Sequence, residues 1–428
     1  MIEPDGDKIR AIAWTEVFPW LKIAKVFRLA IAFRALLFGA LGVLLTATGW
    51  ILIAAVFETD ADSTGWLKQH AECPWTRITD SIVPDRPALG LLGEPAAPRD
   101  ESTIARSYDL REVNPISTPW TALSRPAVEG ISFTSQPPRA IASVILCGLW
   151  AAAVWAFFGA AICRAAAVQL AAEEKVGLNA AVNFASRKWG SFFAAPLLPV
   201  VGLALAAAPV VLLGLIMRAG GFGLLLGGIF WPLALIAGFV MALLLLGIFF
   251  AWPLMWGAIA TEGSDSFDAL SRSYAYLFQR PLRYLLYAAV AALFGWLGWL
   301  LVREFAAGVV WLTSWAAGWG YGAEPSIRGG DVSGAGRAGA ALILFWSGCV
   351  KLLAVGYLFS YFWSASTAIY LLLRKDVDNT EMNEVFLENE QEAEDLPAIV
   401  KDSAGAPVAE GDADPSQSET PESQNKTD

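Results

Sequence analysis

Few residues in this sequence have the types and spacing that chemistry needs. The single histidine, His70, precedes Cys73 by three residues. Two soft ligands fall short of the set that a zinc ion takes, so no metal is expected. Gly334-Ala-Gly336-Arg-Ala-Gly339 spells G-x-G-x-x-G, but that loop holds a dinucleotide only between a strand and a soluble helix of a βαβ unit. Here it leads into an apolar stretch and reads as a flexible approach to a closely packed helix. Asp376-Val-Asp378-Asn-Thr380 starts like a calcium loop, yet Glu381 stands where the turn glycine belongs and Leu387 where the bidentate acid belongs, so that reading is rejected. No cofactor is expected. With one histidine and no acidic pair in the apolar stretches, neither a histidine relay nor an intramembrane metal hydrolase is visible, and no enzyme is expected.

Three charged residues remain, Arg303, Glu304 and Lys351, each within or at the edge of an apolar stretch. Ionisable groups in such places are functional candidates by default. The structural reading pairs Lys351 with Glu304 across the last hairpin; the functional reading makes Arg303, Glu304 and Lys351 a polar site for a cargo or a lipid headgroup. No other apolar stretch has an Asp or Glu in its middle, which argues against a proton-coupled carrier built on a buried carboxylate.

The elements that must position these residues are set by composition. The 428 residues are 56% hydrophobic and 16% charged, with 19 Trp and 24 Phe, outside the range of an ordinary soluble domain. A membrane span needs about twenty predominantly apolar residues. Uncharged stretches run over 35–57, 140–163, 192–217, 222–260, 284–302 and 338–373, the last interrupted only by Lys351. An all-α, polytopic bundle of about six spans is therefore expected, with a membrane domain over 35–375 and a cytoplasmic amphipathic segment over 1–34. In 222–260 two Trp-Pro-Leu triplets place Pro232 and Pro253, so a kinked helix after a short re-entrant piece competes with a tight hairpin.

Residues 305–323 carry Trp311, Trp315 and Trp319 every four positions, as an aromatic belt at the headgroup level would. An interfacial helix on the outer surface is expected there, with a seventh span as the rival. The segment 58–139 holds ten prolines and is expected to be an extended extracytoplasmic loop. Residues 376–428 hold 16 Asp and Glu against Lys401 and Lys426 and are expected to be a disordered acidic tail. The four cysteines are scattered and spell no disulfide framework.

Lys and Arg near the span ends set orientation. Lys22, Lys25, Arg28 and Arg34 precede the first span, and Arg164, Lys175, Arg187, Lys188, Arg374 and Lys375 fall on the same side if there are six. Both termini are then cytoplasmic. A secretory signal is not expected, because residues 13–33 alternate Trp14, Phe18, Trp20 and Phe27 with Glu16, Lys22, Lys25 and Arg28, a surface amphipathic pattern. A second such stretch, "TEGSDSFDALSRSYAYLFQRP", gathers Phe267, Leu270, Tyr274, Leu277 and Phe278 on one helical face. Ser264 or Asp265 caps it and Arg280-Pro281 ends it. Leu178-Asn179-Ala180 and Trp189 echo Phe267-Asp268-Ala269 and Phe278 at equal spacing, which suggests three units of amphipathic helix plus two-span hairpin.

The signatures "AWTEVFPWLKIAKVFRLAI" and "ATEGSDSFDALSRSYAYLFQRPLRYLLY" resemble those of an uncharacterised polytopic membrane protein family of planctomycete-type bacteria. The helix-plus-hairpin organisation is also similar to membrane domains attached to some glycerophosphodiester phosphodiesterases, without their catalytic domain. The first resemblance implies a bacterial inner-membrane protein and carries no activity. The expected partners are the lipid bilayer and a protein bound through the acidic tail or outer loop, with no nucleic acid. Gly223-x-x-x-Gly227 makes a homo-oligomer a further candidate. The leading expectation is a structural or partner-binding membrane component; the alternative is a transporter or lipid-handling protein with its polar site at the last hairpin.

Overall fold

A computed structural model describes residues 18–57, 83, 113–131, 138–172, 177–321 and 334–386. His70, Cys73, residues 1–17, most of 58–139 and residues 387–428 lie outside them. The chain divides into Met1–Val385 and Phe386–Asp428, and of the second unit only Phe386 is described.

The described part of the first unit is all-α. A 3-10 turn at Pro19–Ile23 leads into α1 (Ala24–Ala30) and α2 (Phe33–Phe57), followed by α3 (Ser117–Ile131), α4 (Pro138–Ala171), α5 (Leu178–Met217) and α6 (Gly220–Phe250). Next come α7 (Trp252–Glu262), α8 (Ser266–Gln279), α9 (Pro281–Tyr321) and α10 (Ala335–Asp378). Among the described residues six helices, α2, α4, α5, α6, α9 and α10, are long and apolar enough to cross a membrane. There a helix satisfies its own backbone and apolar side chains face lipid freely.

The second half of α10 is the axis of the bundle. It is buried almost without a break from Ala354 to Arg374 and packs against α1, α2, α4, α7 and α9. Its approach to α2 is set by two glycines. A Cβ on Gly39 would come within 2.9 Å of the Gly356 carbonyl carbon and nearer still to its oxygen, and one on Gly356 would lie 2.7 Å from the Ala40 nitrogen. Membrane helices gain little from apolar burial alone and pack tightly where small residues let backbones meet. Between α2 and α4 the indoles of Trp50 and Trp150 donate to the Cys147 and Leu45 carbonyls at 3.0 and 2.9 Å.

Several expectations need correction. Residues 305–321 are not a separate interfacial helix, nor a seventh span. With no proline to break it, α9 runs on through them for 41 residues, about 61 Å at 1.5 Å per residue. The three tryptophans do share a face, Trp311–Trp315 and Trp315–Trp319 having ring centroids 6.3 and 5.9 Å apart. The stretch 222–260 has the kink of the first alternative, at Ala251, with neither the re-entrant piece before it nor a hairpin inside it. The hairpin is α5–α6, and α6 breaks at Ala251 so that Pro253 starts α7, where a missing N–H costs nothing. Pro232 is carried inside α6. The proposed echo is not preserved: Leu178 opens α5 directly, whereas α8 is cut off by Pro281.

Two segments expected to lack packed structure are partly folded. Residues 117–131 of the proline-rich segment form α3. The first ten residues of the acidic segment dock back onto the bundle: Asp376 pairs with Arg283 at 2.6 Å and accepts from Tyr287. Arg374, 4% exposed, donates to the Glu381 and Glu384 carbonyls, while Met382 and Val385 are buried. Apolar residues at 382 and 385 let the chain close over the Arg374 guanidinium, which the excess of acidic side chains obscured.

Candidate functional site

The stretch 261–281 is architecture. Gly263 ends α7 in the left-handed region, and the Asp265 carboxylate accepts from Phe267 N and Asp268 N at 3.1 and 2.8 Å. Arg272 reaches Asp268 and Glu262 at 3.0 and 3.1 Å. Glu262 also accepts from the Tyr370 hydroxyl at 2.6 Å and faces Arg374 at 3.6 Å. Tyr274 donates to the Leu244 carbonyl and Tyr276 to Asp378. Burial and that carboxylate hold the Tyr276 hydroxyl well above its ordinary range, so it remains a donor at neutral pH. With Arg164, which donates to the Ala260 carbonyl at 3.0 Å and lies over the Phe184 ring, these groups form one charged layer, the Arg374 end of the bundle.

The candidates from sequence lie far from that layer. The 23 residues from Lys351 to Arg374 rise about 35 Å along α10, close to the ~30 Å hydrocarbon thickness. Lys351 is 2% exposed and Arg303 7%. One ion pair there joins Arg303 Nε to Glu304 Oε1 at 3.9 Å, on one helix. The structure thus brings Arg303 and Glu304 together, with Lys351 buried on the neighbouring helix. None of the three is among the residues that line the large cleft between α3, α4, α5, α6, α7 and α10.

Sequence reasoning missed a large apolar cleft of about 890 Å³ between α3, α4, α5, α6, α7 and α10. One wall is α4, through Ile141, Ile145, Gly148 and Ala152; another is the α5–α6 hairpin, through Val200, Ala204, Met241 and Leu245. Pro196 and Pro199 sit inside α5 at the level where the wall begins. Among the described residues no ionisable side chain lines the cleft; the Ser124 hydroxyl lies in its wall and donates to the Trp120 carbonyl. The volume falls in the ~300–1,000 Å³ range of ligand pockets.

The third wall is α3, through Leu123, Ser124, Pro126 and Ala127. Asn114 builds its start: Oδ1 accepts from Ile116 N at 2.9 Å, while Asn114 N donates to Thr118 Oγ1 at 3.0 Å. Its Nδ2 then donates to the Ala292 carbonyl of α9 at 3.1 Å, and Trp120 Nε1 to the Phe249 carbonyl of α6 at 2.8 Å. Ala292 lies in the middle of the uncharged stretch 284–302. The helix therefore begins inside the bundle and runs outward along α4, with Leu123 packed on the Trp50, Val144 and Cys147 cluster. Irregular backbone at such depth persists only where protein groups satisfy it, which Asn114 does.

The floor is four tryptophans from three helices. Trp256 and Trp363 stack at 4.1 Å between centroids, Trp252 meets both edge-on at 6.4 and 5.5 Å, and Trp155 lies 6.1 Å from Trp363. Gly159 makes room, since a Cβ there would sit 2.5 Å from the Trp256 ring. Elsewhere interhelical indoles find carbonyls, Trp189 to Ala153 for example. The N–H groups of Trp155, Trp252, Trp256 and Trp363 find none and are covered by neighbouring atoms. Part of the signal was present in the sequence as Trp155 and Trp363, well inside the apolar stretches 140–163 and 338–373 rather than at the ends where a belt belongs.

Among the described residues, no group of three His, Cys, Asp or Glu is placed to hold a metal. Comparison with known proteins found no matching family model, curated protein or solved structure.

Proposed function

We propose that this multi-pass membrane protein is a lipid-handling protein that holds the hydrocarbon part of a bilayer lipid in the cleft. The observation that carries this reading is the cleft itself: about 890 Å³ of space with no ionisable lining residue among the described residues. A polar solute would lose its hydration there with nothing to replace it, whereas a hydrocarbon chain meets only apolar walls. Arg303, Glu304 and Lys351 then serve as a paired polar layer at the far end of α9 and α10, not as the cargo site. Positive residues at the Arg374 end support a cytoplasmic assignment for it, in a bacterial inner membrane, and no catalytic step is assigned.

The test is lipid retention. Protein purified in mild detergent should carry bound lipid, detected by native mass spectrometry, and Ala152→Phe with Ala204→Phe should lose it while melting at the temperature of the parent. Equal lipid in parent and double variant would sink the proposal. A second reading, a partner-binding component acting through the acidic tail, is favoured by the docked Asp376–Val385 segment, since Arg374 fixes where the tail leaves the bundle. Recovery of a partner that depends on residues 387–428 would test it.

A further inference from the structure

We infer that the lipid enters the cleft from the leaflet opposite the Arg374 end, with its methyl terminus on the tryptophan floor and its headgroup held outside. This rests on the lipid-binding reading above. Three helices give the depth of the floor independently. Trp256 is six residues from Glu262, Trp155 nine from Arg164 and Trp363 eleven from Arg374, rises of about 9, 14 and 16 Å from the charged layer. In a hydrocarbon core of ~30 Å the floor lies at or below the midplane.

Beneath the floor the described residues leave no path to the near leaflet. Cys163, Ile259, Thr367 and Tyr370 fill that space and are fully buried, and Gly159 and Gly257 are already closed over by Trp256 and Tyr370. Above it the lining continues along α4 to Ile141, fourteen residues from Trp155, about 21 Å of rise. That exceeds the ~15 Å hydrocarbon thickness of one leaflet, so a single chain of the far leaflet fits along the cleft. Ile145 and Val200 line the cleft and are 53% and 42% exposed, which leaves it open sideways to hydrocarbon.

The floor also selects which end of the lipid arrives there. Its indole N–H groups are covered, so the surface met by a ligand is ring carbon. A phosphate or ammonium in that position would be desolvated with no partner.

The experiment uses the full chain in phosphatidylcholine vesicles containing one of two photoactivatable phosphatidylcholines, with the diazirine at the end of the acyl chain or beside the glycerol. Crosslinked peptides are identified by mass spectrometry, with 211–216 on the exposed face of α5 as the annular reference. The expected result is labelling around Trp155, Trp256 and Trp363 from the chain-end probe, and around Leu123–Ala127 and Ile141–Ile145 from the glycerol probe. Ala204→Trp should cut the floor labelling several-fold. The reverse pattern, or equal floor labelling by both probes, would overturn this orientation while leaving lipid binding intact. Labelling of the cleft no stronger than of 211–216 would instead remove the lipid-binding reading itself.

Discussion

Substitution of one glycine should separate the packing of this bundle from generic helix propensity. Gly39→Ala places a methyl group within 2.9 Å of the Gly356 carbonyl carbon, and the obstacle is backbone, which cannot rotate away. Relief requires α2 and α10 to part, and α10 is the helix against which α1, α4, α7 and α9 also pack. Overpacking of this kind typically costs about 1–3 kcal/mol. Gly190, twelve residues inside α5, has open space around its Cβ position, so Gly190→Ala should gain about 0.5–1 kcal/mol from helix propensity. The two variants should therefore differ by about 1.5–4 kcal/mol, with opposite signs relative to the parent. Reversible unfolding by sodium dodecyl sulfate in mixed micelles, followed by tryptophan fluorescence, reads the difference. Equal stability of the two variants would show that α2 and α10 do not meet at Gly39 and Gly356.

Removing Arg374 should be more damaging than removing its partner's charge. Arg374→Ala takes the donor from the Glu381 and Glu384 carbonyls and one of two cations from Glu262, at about 1.5–3 kcal/mol per charged hydrogen bond lost, whereas Glu262→Gln keeps a hydrogen-bonding side chain and should cost less; thermal melting of both variants in detergent compares them. Asn114→Ala removes the bond to the Ala292 carbonyl along with the local turn, at about 0.5–1.5 kcal/mol per lost bond, and hydrogen exchange should quicken in 117–131 before any other helix. Gly159→Leu should displace Trp256 and open the floor, seen as a red-shifted tryptophan emission; an unchanged spectrum would contradict the stacking geometry. In intact cells a cysteine introduced at Ser271 should resist an impermeant thiol reagent if the Arg374 end is cytoplasmic, and its labelling would reverse the orientation.

Much of the fold was legible because hydrocarbon imposes a simple rule: twenty apolar residues without charge make a span. That rule found all six long helices, and the capped α8 was readable from Asp265 to Pro281 because capping and proline effects are local. Continuity was less legible. Trp311, Trp315 and Trp319 look the same on the end of a long helix as on a separate interfacial one, and only the absence of a breaker before them decides. The candidate site was the least legible part. Charge drew attention to Arg303, Glu304 and Lys351, while the cleft is defined by absence of charge and by residues far apart in sequence. Asn114 gives the physical reason for missing α3: its decisive partner, the Ala292 carbonyl, is 178 residues away, and nothing in a proline-rich segment announces that contact.

The cleft's occupancy can be seen directly. A cryo-electron-microscopy map of the full chain in lipid nanodiscs should show one elongated density running from beside Ile141 to the ring faces of Trp155, Trp256 and Trp363. A cleft closed by inward movement of the α5–α6 hairpin, with Leu245 and Val200 packed on Trp256 and no density between them, would contradict lipid binding at this site.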